Sequence, residues 1–242
     1  MGTSRAAALK HLAVALDLSE RDAIVGMARS LVGHCGMVKL GLEAFTAHGP
    51  ELVREVGTLG MPVFLDLKLH DIPNTVERAA RNCARLGVAM LNVHASGGEA
   101  MLRAAVAGAK AGTPEGERPP VVLAVTVLTS IDNAALEQLG VPGGAAGRVR
   151  AWAALAQQTG CGGVLCSSLE AAALRAERGP DFLLVTPGVR PAGGDRADQR
   201  RVATPAVALA AGADILVVGR PITGASDPAA AAEAIIAELC AS

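Results

Sequence analysis

Eight short apolar runs, separated by stretches with helical spacing, limit the possible folds of this chain more than any other feature. The runs cover residues 12–16, 37–40, 62–68, 90–94, 121–127, 163–166, 182–186 and 214–219. Each has the length of a strand, and several are rich in Val and Leu, as strands buried on both faces require. Between them lie Ala-rich segments of helical periodicity, among them 75–86, 98–111, 148–158 and 204–211. Strand–helix alternation repeated eight times is the pattern of the α/β class known as the (β/α)8 or TIM barrel. A length of 242 residues suits one such barrel, which takes about 250 residues. No linker divides the chain, so residues 1–242 read as a single (β/α)8-barrel domain. An open doubly wound sheet is the structural alternative, but no GxGxxG turn follows the first run to support it.

The residues available for a core agree with this. Half of the chain (51%) is hydrophobic while aromatics make up 2%, so Val, Leu, Ile and Ala must fill the interior. Scarce aromatics remove the usual platforms for stacking bases. A net charge of −1 gives no broad attraction to nucleic acid or an anionic membrane. An anionic ligand must be held by a local site. The five cysteines are scattered and form no CxxC pair, which points to reduced thiols. The run at 12–16 is cut by Asp17 and is too short for a secretory segment. No uncharged apolar stretch reaches the length of about 18 residues that spans a bilayer. The expectation is a cytoplasmic protein.

Against this apolar background, Phe64-Leu65-Asp66-Leu67-Lys68-Leu69-His70-Asp71 is unusual. Side chains alternate along a strand, so Asp66 and Lys68 share one face and Leu65 and Leu67 the other. Charges on the inward face of a barrel strand are costly unless they pair, and the carboxyl end of such a strand is where barrel active sites lie. Two more runs end similarly, in Leu16-Asp17 and in Val38-Lys39-Leu40-Gly41. Asp17, Lys39, Asp66 and Lys68 are therefore expected to converge at the barrel mouth. Singly, each has a plainer explanation. An Asp after a strand often caps the next helix, a lone Lys is usually a surface side chain, and Asp71 before Ile72-Pro73 looks like a helix start. Their joint occurrence at strand ends is what singles them out.

Two Gly/Pro-rich stretches stand out. Residues 113–120 precede a strand and belong at the inert end of a barrel. Residues 188–194 follow the seventh run, on the functional face, and make a candidate lid. The last run leads into Gly219-Arg220-Pro221-Ile222-Thr223. Backbone N–H groups of Gly219 and Arg220 at a helix start, with the Arg220 guanidinium, suit a phosphate. The plain alternative is a Gly turn with a solvated Arg. His94 sits at a strand end, at the edge of the expected site. Few histidines and no HxxxH or HxH pair leave no basis for a transition-metal site.

The segment Asp66-Leu67-Lys68-Leu69-His70-Asp71, continuing Ile72-Pro73-Asn74-Thr75, resembles the DxKxxD signature of the orotidine monophosphate decarboxylase family. The resemblance extends in order through Asp17, Val38-Lys39-Leu40-Gly41, Thr186-Pro187-Gly188-Val189-Arg190-Pro191, Gly194-Asp195, Asp198-Gln199-Arg200-Arg201 and Val218-Gly219-Arg220-Pro221-Ile222-Thr223. It implies a cofactor-free and metal-free decarboxylation of a nucleotide, orotidine 5'-phosphate giving uridine 5'-phosphate. Lys68 is then the proton donor, Asp66 the neighbour of the substrate carboxylate, and Lys39 and Asp17 contacts to the ribose. It further implies that Thr129 contacts the base, that Gln199 spans phosphate and pyrimidine, and that Gly219 and Arg220 hold the phosphate. Pro187 and Arg190 shape the loop. By the same resemblance, Asp71, Ile72 and Thr75 are expected to enter the neighbouring subunit's site, which implies a homodimer with shared active sites.

From the residues themselves, the flanking acids Asp66 and Asp71 favour the cationic form of Lys68 and make it a credible proton donor. Two rivals remain at this stage. One is a Mg2+-dependent sugar-phosphate decarboxylase or aldolase of the same barrel group, in which the position of Lys39 is a metal-binding Glu by resemblance. The other is a non-catalytic barrel that binds nucleotide phosphates.

Overall fold

The computed structural model describes residues 3–190 and 203–241, and its eight parallel strands close in sequence order into a barrel. They are β1 (Leu12–Ala15), β2 (Met37–Gly41), β3 (Val63–Leu69), β4 (Met90–His94), β5 (Val121–Val125), β6 (Gly163–Leu165), β7 (Leu183–Pro187) and β8 (Ile215–Val218). Every one falls on an apolar run. Pairing of β8 with β1, through Leu12 with Leu216 and Val14 with Val218, leaves no sheet edge and excludes the open doubly wound alternative.

Alternation along the strands sorts the core into two layers. Ala13, Met37, Phe64 and Met90 point into the barrel and belong to one buried cluster. Their neighbours Val14, Val38, Leu65 and Leu91 point outward and join the layer beneath the helices. Leu65 and Leu91 are essentially fully buried, and truncating such a leucine to Ala typically costs about 2–5 kcal/mol.

The helix after β3 runs Pro73–Ala84, two residues ahead of the expected 75–86. Proline suits the first helical position because it lacks an N–H that would be unpaired there anyway. The next helix, Gly98–Gly112, lies unusually close against it. A Cβ on Gly108 would stand 2.1 Å from the Glu77 carbonyl oxygen, and one on Gly112 would stand 2.2 Å from that of Arg81. Only glycine permits that approach, which packs the middle and last turns of the Pro73–Ala84 helix against its neighbour. Residues 113–120 then lead into β5 at the amino end of the barrel, as expected.

Candidate active site

On the first four strands, the inward position two residues beyond the apolar plug turns polar. Ala15 is followed by Asp17, Met37 by Lys39, Phe64 by Asp66 and Met90 by Asn92. Lys39 is 7% exposed, Asp66 5% and Asn92 0%. Lys39 Nζ donates to Asp17 Oδ1 at 2.9 Å and lies 3.2 Å from Asp66 Oδ2. The other carboxylate oxygen, Asp66 Oδ1, accepts from Lys68 Nζ at 2.6 Å and from Asn92 Nδ2 at 2.7 Å. The result is a chain of alternating charge, Asp17–Lys39–Asp66–Lys68, across three adjacent strand ends.

The facing wall is built differently. Val125, Val127, Leu165, Cys166 and Val217 line it, and Thr129, Pro187, Arg190, Gly219 and Arg220 stand at its rim. The two walls enclose a cavity of about 520 Å³, within the range that holds small ligands. One side of the space carries the lysine–carboxylate chain, and the other is mostly apolar with Arg190 and Arg220 at its margin.

Burial alone would push Asp66 toward its neutral form. Lys39 and Lys68 outweigh that penalty, with hydrogen bonds from Lys68 and Asn92, and hold its carboxyl below the usual carboxylate range. Lys39 follows the same logic with opposite sign: burial works against its charge, but Asp66 and Asp17 raise its pKa above the ordinary lysine value. Each buried charge is maintained by its partner. At the edge of the cluster, burial and then the charges of His70 and Lys68 hold the His94 imidazole below its ordinary pKa. Its ring lies 5.4 Å from that of His70.

The backbone at Lys68 is also special. Its φ of +50° is the one positive φ at a non-glycine among the described residues, a conformation that costs about 1–3 kcal/mol and persists only where its surroundings enforce it. Pairing between β3 and β4 shifts register here, from Leu65 opposite Leu91 to Leu69 opposite Val93. The Lys68 N–H turns instead to Asn92 Oδ1 at 2.7 Å. Strand alternation alone puts Asp66 and Lys68 on one face; the distortion at Lys68 accompanies their direct contact.

Of the residues singled out from sequence, the structure brings together Asp17, Lys39, Asp66, Lys68, Thr129, Pro187, Arg190, Gly219 and Arg220 around one cavity. Asp17 does not cap the following helix, which starts after Glu20. Asp71, Ile72 and Thr75 are not among the residues lining this cavity. Asp71, expected as an acid near Lys68 and by the resemblance in the neighbouring subunit's site, is exposed in the single chain, and its Oδ1 accepts from the Ile72 N–H at 2.6 Å. Residues 71–75 are all exposed, and Ile72 at 66% is an unusually bare large apolar side chain. Gln199 and the lid beyond Arg190 lie outside the described residues. Asn92 was not foreseen. The signal for it was there, since an amide at an inward position of Met90-Leu91-Asn92-Val93-His94 has to be explained.

No group of three or more His, Cys, Asp or Glu is arranged to hold a metal ion among the described residues. No helix there is long and apolar enough to cross a membrane.

A closed barrel that sets a strand-borne lysine–carboxylate chain at the mouth of a ligand-sized cavity has the architecture of a (β/α)8-barrel enzyme. Residues 10–235 match the family model described as the orotidine 5'-phosphate decarboxylase / HUMPS family, and the chain belongs to that family. It is 53% identical over 227 residues to the orotidine 5'-phosphate decarboxylase of Paramagnetospirillum magneticum, covering 93% of this chain and 97% of that one. It is 54% identical over 230 residues to that of Anaeromyxobacter dehalogenans, covering 95% and 98%. The crystal structure of orotidine 5'-phosphate decarboxylase from Lactobacillus acidophilus superposes with a TM-score of 0.86 at 42% identity, covering 95% of this chain and 99% of that one.

Proposed function

We propose that this chain removes CO2 from orotidine 5'-phosphate to give uridine 5'-phosphate, with Lys68 as the proton donor. The observation that carries the reading is the Lys68 ammonium held 2.6 Å from Asp66 at the cavity mouth, with Lys39 on the far side of the same carboxylate. The bond between the ring carbon and the carboxylate breaks, CO2 leaves, and the electron pair stays on the ring carbon. Lys68 gives that carbon a proton, and the neutral amine recovers one from solvent. Asp66 sits beside the substrate carboxylate, Lys39 and Asp17 orient the ribose, and Thr129 meets the base. Gly219 and Arg220, with Gln199, take the phosphate, and Pro187 and Arg190 shape the loop over it.

Enzymes lower barriers by roughly 8–23 kcal/mol, whereas one charge pair near 4 Å contributes about 4 kcal/mol at an effective dielectric of 20. The lysine acts with other terms. Binding of the distant phosphate can drive closure and desolvation at the reacting carbon.

The Mg2+-dependent alternative meets an obstacle in the donor set, because the Lys39 ammonium stands between Asp17 and Asp66, where a cation would have to bind. The test is spectrophotometric loss of orotidine 5'-phosphate by EDTA-treated protein in metal-free buffer. Turnover is expected in full; abolition of turnover, with restoration by Mg2+, would move the assignment to that rival.

The active assembly on this reading is a homodimer in which Asp71, Ile72 and Thr75 complete the partner's site. Their exposure beside the mouth supports it. The barrel from β1 to β8 acts as one catalytic domain, and five unpaired thiols favour a reducing cytoplasm.

A further inference from the structure

We propose that Asn92 is a positioning residue for the proton donor, gripping Asp66 with one end of its amide and the Lys68 backbone with the other. Asn92 is fully buried and is not among the residues that line the cavity, so it acts through its neighbours. Its two bonds leave little freedom. Oδ1 accepts the Lys68 N–H at 2.7 Å, and Nδ2 donates to Asp66 Oδ1 at 2.7 Å. The reversed amide would set an NH2 against an N–H and an oxygen against a carboxylate, so the network itself fixes its orientation.

The place of these bonds gives them their consequence. Between Leu65 and Leu69 the β3–β4 ladder loses its regular register, and within that interval Lys68 takes its left-handed backbone. Asn92 Oδ1 supplies an acceptor for the Lys68 N–H there. The same side chain holds the oxygen to which the Lys68 ammonium is paired. Both ends of the donor, main chain and charged tip, are thus referred to one rigid point on β4. Misplacing a reacting group by about 1 Å can lower a rate by about 100-fold.

This inference rests on the decarboxylase reading and is tested apart from it, by measuring the unaltered chain beside two variants. Asn92→Leu keeps the volume and makes neither bond. Asn92→Asp keeps an oxygen for the Lys68 N–H and replaces the donor with a second carboxyl. Asp66 is faced by Lys39 from β2, Lys68 on β3, and Asn92 and His94 from β4, with Asp17 reaching it through Lys39. Loss of the amide donor weakens the hold on ionised Asp66, so the acid limb of the kcat/KM profile should move to higher pH in both variants. The expected result for Asn92→Leu is a kcat lower by about 100-fold with KM changed less than about threefold. Calorimetric binding of uridine 5'-monophosphate should persist. If the Leu variant does not fold, the Asp variant decides alone. Turnover of either variant within about twofold of the unaltered chain, with the same pH profile, overturns the inference. So does a parallel loss of turnover and nucleotide binding with an unmoved acid limb, which would make Asn92 merely structural. An inactive unaltered chain would instead sink the decarboxylase reading.

Discussion

Lys68 Nζ and Asp66 Oδ1 lie 2.6 Å apart although only Leu67 separates the two residues on the same strand. Partners this near in sequence have little freedom to drift, and Lys68 takes a positive φ beside the contact. The Lys68 ammonium is held beside Asp66 by nearness along the strand as well as by charge.

Replacing Lys68 by Ala should lower kcat on orotidine 5'-phosphate by about 1,000-fold or more, the scale of a positioned general acid. Affinity for uridine 5'-monophosphate should stay within about tenfold, since the contacts proposed for its phosphate, ribose and base are made by other residues. Steady-state kinetics and calorimetry measure the two. Unchanged turnover would remove Lys68 from the chemistry.

Shared sites have an arithmetic signature. In a twofold dimer, Lys68→Ala and Asp71→Asn each disable both sites when alone. Mixed after dissociation and reassociation, half of the dimers are hybrids, and one of the two sites in each hybrid has both residues intact. About a quarter of the wild-type activity should therefore return. No recovery from a mixture shown to contain hybrids would place Lys68 and Asp71 in the same chain's site.

The acid side of the stability curve should report Asp66. Its folded pKa lies below its unfolded value, so the stabilisation is present above about pH 3.9 and is lost as pH falls through the lower folded value. Lys39, raised in the fold, stabilises fully below about pH 10.4 and loses that contribution as pH rises through its folded value. Asp66→Asn leaves Lys39 without its buried partner and should cost about 3 kcal/mol at neutral pH. It should also flatten the fall in Tm on acidification. An equally steep acid limb in the variant would assign that dependence to other carboxylates.

Phosphate contacts can be separated from the chemistry with a truncated substrate. Orotidine, which lacks the phosphate, should react at least about 100-fold less efficiently in kcat/KM, because remote binding energy no longer assists the reacting centre. Arg220→Ala should weaken the natural substrate and leave orotidine nearly untouched. Equal efficiency on the two substrates would refute a phosphate site at Gly219 and Arg220.

The barrel could be read from the chain because short apolar runs and the helical spacing between them are local properties, and they recur eight times in order. Met37 then Lys39, and Phe64 then Asp66, already place charges one step above an apolar plug. Asn92 obeys the same rule on β4. It escaped notice because a neutral amide announces no chemistry until its two partners are known. The left-handed backbone of Lys68 coincides with a register shift against β4 that no residue of β3 encodes alone. Asp71 shows the opposite limit. Its closeness in sequence to Lys68 suggests a contact, yet in the single chain it is exposed just ahead of the helix start at Pro73, with its carboxylate turned to the Ile72 N–H.

Because the charged wall grows from strands bonded on both sides, its electric field is in place before any ligand arrives. The loops above can lengthen, shorten or change composition, and so alter what is admitted or how fast it leaves, without redrawing that field. Laboratory evolution of altered selectivity would do best to begin at the rim around Thr129 and Arg190 and leave β2, β3 and β4 alone.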